Sequence, residues 1–110
     1  MTSEPPAGTQ FARVVNRLVD RVSHWTPSRW AASSPSLGGG TRADVLHRLI
    51  QQVADLGADA EGRPRRPVPR LDSDLTLPDQ LRVVAADLLA APDPALDTAT
   101  DLVHTARRAL

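Results

Sequence analysis

Asp97, Asp101 and His104 stand at i, i+4 and i+7. On a helix that spacing puts two carboxylates and an imidazole along one side, the donor types that hold a divalent metal. The apolar residues of the same stretch, Leu96, Ala99, Leu102, Val103, Ala106 and Leu110, take the opposite side. Metal sites in helical bundles point inward, where several helices supply ligands. The trio therefore reads as an acidic helix start followed by a surface histidine, and neither a metal nor a cofactor is expected. His24 and His47 fall on polar flanks, with no Ser, Cys or Asp at a catalytic spacing. Gly38-Gly39-Gly40-Thr41 leads into a helix but lacks the lysine and spacing of a phosphate loop, so it reads as a linker with a cap. The absence of cysteine excludes thiolate chemistry and disulfides. The chain is not expected to be an enzyme, and no motif in it points to a family.

Charge offers a second chemistry. All 13 basic residues are arginine, balanced by 13 acidic ones. The zero net charge gives no whole-molecule drive toward nucleic acid or an anionic membrane. The exclusive use of arginine has no single structural cause and suggests a high-GC, bacterial coding background. Locally the charges separate. Arg13, Arg17 and Arg21 form a row of like charges one turn apart, continued by His24. Arg63, Arg65, Arg66 and Arg70 lie in a segment that also holds Pro64, Pro67 and Pro69. Those prolines fix their own φ and bias their neighbours toward polyproline II, which makes a stiff basic arm. Seven Asp between Asp72 and Asp101 face only Arg82. The plain expectation for both basic segments is a solvated face and a spacer paired with aspartates. The alternative is an anion or nucleic-acid contact through Arg13, Arg17, Arg21, Arg63, Arg65, Arg66 and Arg70.

The elements that must carry these residues are helical. The expected fold is an all-α, small four-helix bundle, with helices near 10–25, 41–57, 77–91 and 94–110 and a Pro/Arg-rich connection between the second and third. Residues 1–9 read as a disordered leader. Residues 10–110 read as a single domain with flexible segments at 33–40 and 58–74. In the first helix Phe11, Val14, Val15, Leu18, Val22 and Trp25 share a face. Pro27 disfavours helix at Thr26, and Ser28 is the expected cap of a short turn through Trp30 to Ala32, while Trp25 and Trp30 either close the core or present a binding anchor. Thr41 with Asp44 makes a capping-box-like start for the second helix, and Gly57 is its expected stop. Thr76 is the expected cap of the third helix, and Asp93-Pro94 the expected start of the fourth. The short link between those last two predicts an antiparallel hairpin.

The third helix is the exception among clean amphipaths. Leu77, Leu81, Val84, Ala85, Leu88 and Ala91 form its core stripe, while Val83, Ala86 and Ala90 form a second apolar strip where charge is normal. Either that helix is central or the strip meets a partner. The expected function is a non-enzymatic small helical interaction or regulatory module, self-associating through Val83, Ala86 and Ala90 or through Trp25 and Trp30. The nucleic-acid-associated regulator is second, and a metal-binding protein or enzyme third. No signal-peptide core and no run near the length of a membrane span is present, so a cytoplasmic protein with no membrane partner is expected.

Overall fold

The computed structural model describes residues 5–36 and 40–110. The fold is all-α, with helices α1 (Ala7–Val22), α2 (Pro27–Ala31), α3 (Arg42–Glu61), α4 (Leu77–Ala90) and α5 (Leu96–Arg108), and a 3-10 turn at Asp74–Thr76 before α4. Phe11, Leu18, Trp30, Leu46, Ile50, Leu77, Leu81 and Leu88 are among the fully buried core, and no charged or polar side chain is buried among the described residues.

α1 begins three residues earlier than expected, so residues 7–9 are helix rather than leader. The first turn docks on the bundle, with Gly8 close against Leu89 and Leu96. α1 ends at Val22, before Trp25, because the chain turns there: Trp25 N–H donates to the Val22 carbonyl at 3.1 Å. α2 is capped by Thr26 rather than by the expected Ser28, the Thr26 side chain accepting from the Arg29 N–H at 3.3 Å with Pro27 in the first turn, so the helix starts earlier than expected. Of the expected flexible segment 33–40, residues 37–39 lie outside the described residues. Its flanks pair, with Ser34 N–H on the Gly40 carbonyl at 2.8 Å and Arg42 N–H on Ala32 at 2.9 Å.

The capping box of α3 is present in full: Thr41 Oγ1 accepts from Asp44 N–H at 3.1 Å and Asp44 Oδ2 accepts from Thr41 N–H at 3.0 Å. Gly57 does not stop the helix. α3 runs on to Glu61, so residues 58–61 of the expected flexible connection are helical, and the stop is Gly62. At Gly62 φ is +68°, and its N–H closes back on Ala58 and Asp59. A left-handed residue is what breaks the helical repeat there. The other two expected caps also move. Thr76 has helical backbone and its hydroxyl donates to the Ser73 carbonyl at 2.6 Å, while Ser73 caps the 3-10 turn. Asp93 takes φ +45°, and α5 starts only at Leu96 without a side-chain cap.

Around the bundle the order is α1, α4, α3, α5, each helix packing on the next and α5 on α1. The last two helices are therefore diagonal and not the expected neighbouring hairpin. α3 and α1 share the core stripe of α4, which leaves no side for α5. Directions follow from the residues that meet. Ala12 and Asn16 lie by Ala86 and Arg82, so α1 and α4 are antiparallel. Val45 and Gln52 lie by Ala109 and Leu102, so α3 and α5 are antiparallel too. Gly8 lies by Leu96 and Arg21 by Arg107, so α1 and α5 are parallel.

That leaves α3 and α4 parallel, which requires the chain to travel back along α3 before α4 begins. Residues 63–71 do this as an extended strap. At about 3.1 Å per residue nine residues span about 28 Å, close to the length of about 30 Å for a helix of this size. The long Pro-rich connection is thus a crossover of matched length.

Candidate functional site

The first candidate is the outer face of α4. Val83 is 61% exposed and Leu89 39%, and Ala86 and Ala90 are exposed beside them. Val83, Ala86 and Ala90 are spaced three and then four residues apart, the seam of a two-stranded coiled coil. Arg82 and Asp87 flank the seam on opposite sides. Among the described residues Arg82 pairs only with Asp79, at 3.3 Å, and both side chains are more than half exposed. Such a pair contributes at most about 0.5 kcal/mol and exchanges readily. α4 is not the central helix, because Val83 is open to solvent on this face, while Ala86 and Leu89 border α1 beside Ala12, Val15 and Asn16.

Trp25 and Trp30 do not belong to that face. Trp30 is fully buried and offers a partner no surface, and Trp25 is 6% exposed. Their rings meet at a centroid distance of 4.9 Å, tilted by 60°. Arg29 stacks over Trp25 at 4.6 Å and Arg42 at 5.8 Å. The pair closes the joint between α1, α2 and α3, where aromatic contact and cation–π attraction both contribute.

The basic segments part company. In the strap, Arg63 pairs with Glu61, Arg65 makes a two-pronged pair with Asp59 at 3.0 and 2.7 Å, and Arg70 bridges Asp44 and Asp74 at 3.0 and 3.3 Å. Asp59 is held below its ordinary pKa by Arg65. Only Arg66 of that segment is unpaired among the described residues. The strap is fastened as well as neutralised: His47 Nε2 donates to the Val68 carbonyl at 3.0 Å, and Gln80 Nε2 to that of Pro69 at 3.1 Å. Arg13, Arg17 and Arg21, by contrast, have no ion pair among the described residues, and they lie on α1, diagonal to α3. The row and the arm do not form one surface, as the nucleic-acid reading required.

Arg21 does have basic company that the sequence reading passed over. It lines a cavity of about 480 Å³ with His104, Arg107, Arg108 and Leu110. Arg107 and Arg108 read in the sequence as counter-charges to a helix C-terminus. Only the parallel packing of α1 and α5 shows that they face Arg21. Asp97 and Asp101 are exposed on α5, and no group of three or more His, Asp or Glu among the described residues is placed to hold a metal. At the start of α3 the capping box takes the N–H groups of Thr41 and Asp44, and the Ala32 carbonyl takes that of Arg42; Gly38 and Gly39 lie outside the described residues.

A scan against protein-family models, a search of curated proteins and a search of solved structures each find no match.

Proposed function

We propose that this protein is a small, non-enzymatic interaction module that pairs with a second copy of itself through the outer face of α4. The observation carrying this is the exposed seam of Val83, Ala86 and Ala90 between Arg82 and Asp87. Small residues on a seam let two helix backbones approach closely. In a parallel two-stranded pairing, the residue before the first seam position faces the one after the next seam position on the other strand, five residues on. Arg82 and Asp87 are five apart, so each copy's arginine reaches Asp87 of the second copy, twice over by symmetry. A seam of this length supports a weak, concentration-dependent dimer.

Sedimentation across a concentration series tests the reading. Dimer formation should be weakened by Val83→Glu, weakened by Arg82→Glu or Asp87→Arg alone, and restored by the double charge reversal. A chain that stays monomeric at high concentration would overturn it. No described helix is long and apolar enough to cross a membrane. Together with the lack of cysteine, this supports a cytoplasmic setting, and the exclusive use of arginine supports a bacterial source.

A further inference from the structure

We infer that the adjoining ends of α1 and α5 form a binding site for a linear phosphate chain. Arg21, Arg107 and Arg108 open onto one cavity of about 480 Å³ with His104 at its edge. None of the three arginines is in an ion pair among the described residues, whereas Arg63, Arg65, Arg70 and Arg82 all are. Like charges gathered without a counter-charge repel one another, and a bound anion removes that repulsion. Helix dipoles do not balance the cluster. Two helix C-termini carry about half a negative charge each, which offsets about one of three guanidinium charges. Of the last carbonyls, that of His104 accepts from Arg108 Nε at 3.3 Å, while those of Ala109 and Leu110 are engaged elsewhere, by Ser34 Oγ at 2.7 Å and Arg42 Nε at 3.1 Å.

The shape of the cluster selects a chain over a single small anion. Arg13, Arg17 and Arg21 rise by about 6 Å and turn by about 40° per step, so the row leads along the outside of α1 into the cavity shared with α5. With Arg107 and Arg108 it forms one track of five guanidiniums, each able to fork onto two oxygens of a phosphate. Base recognition has no support along it. Proteins that hold single-stranded nucleic acid stack bases on exposed aromatic rings, and Phe11, Trp25 and Trp30 are all buried. The ligand is read through its charge alone, which points to inorganic polyphosphate.

Calorimetric titration of the intact chain with a linear polyphosphate, and with an oligothymidylate of equal charge, tests this. Polyphosphate should bind, with log K falling against log salt by about 0.7 per arginine engaged. Arg107→Gln with Arg108→Gln should lower affinity about tenfold and flatten the salt slope by more than one unit. Arg17→Gln on the other helix should act in the same direction, and Arg65→Gln with Arg66→Gln should change neither quantity. No binding at low salt, indifference to the α5 variant, or an equal loss in the strap variant would each overturn the site. Tighter binding of the oligothymidylate would overturn polyphosphate as its ligand in favour of nucleic acid.

Discussion

Gln51 grips Val68 through its side-chain amide. Its Oε1 accepts the Val68 N–H at 2.7 Å while its Nε2 donates to the Arg66 carbonyl at 3.0 Å and to Asp55 at 2.9 Å. One side chain thus supplies the strap with the donor and acceptor that a neighbouring strand would. Gln51→Ala leaves both backbone groups without their partner, and unfolding stability should fall by about 1–2 kcal/mol. Amide exchange at Val68 should accelerate more than exchange in α1. Unchanged protection at Val68 would show that the strap is held by packing alone.

Two glycines of α3 predict opposite outcomes. A Cβ on Gly57 meets nothing within 4 Å, yet a helix-interior glycine costs about 1 kcal/mol relative to alanine. Gly57→Ala should raise Tm by several degrees. Gly62 has φ +68°, so Gly62→Ala should lower stability by about 1 kcal/mol, although its Cβ also finds open space. Thermal melts of the two variants with the same sign would contradict this account.

Acid should loosen the start of α3. Asp44 is held below its ordinary pKa by the Thr41 backbone N–H first and the Arg70 guanidinium next. A depressed folded-state value means that its contribution is whole above the unfolded value of about 3.9 and is lost as pH falls through the folded one. Asp44→Asn should therefore be less stable than the parent at neutral pH and converge with it in acid. Melting curves that stay separated by the same interval at both pH values would rule the capping carboxylate out as the source.

Trp30 should tolerate a smaller ring but not its removal. It is fully buried, and its Nε1 has no hydrogen-bond partner among the described residues. Trp30→Ala should cost about 3–5 kcal/mol, a large share of the stability of a domain this size. Trp30→Phe loses volume but also deletes the unpaired N–H, so its cost should be clearly lower. Denaturation followed through Trp25 fluorescence measures both, and equal losses would assign Trp30 no polar penalty.

Much of the fold was legible because its signals are local. The faces of α1, α3, α4 and α5 follow from the spacing of their apolar residues, and Thr41 with Asp44 gave the α3 cap. Boundaries failed where one residue type serves two conformations. Gly57 and Gly62 look alike in sequence, and only the second is left-handed. Asp93 resembles a cap but sits at positive φ, so α5 starts later. The order of helices was hidden because it depends on which faces of α4 are occupied. The cluster of Arg21 with Arg107 and Arg108 was hidden with it, since no spacing along the chain relates residues so far apart. The α4 strip was visible from the outset, being a local departure from an amphipathic pattern.

The parallel packing of α1 against α5 has a consequence for synthesis. α1 is made before either of the helices it packs on, since α4 comes only after the strap and α5 after that. α1 therefore carries Phe11, Val15, Leu18 and Val22 uncovered while most of the chain is still being made. Docking of α1 on α4 and α5 brings together residues far apart in the chain, such as Gly8 with Leu89 and Leu96, and contacts of that separation slow folding. Any exposure to chaperones or aggregation falls on the first helix during that wait.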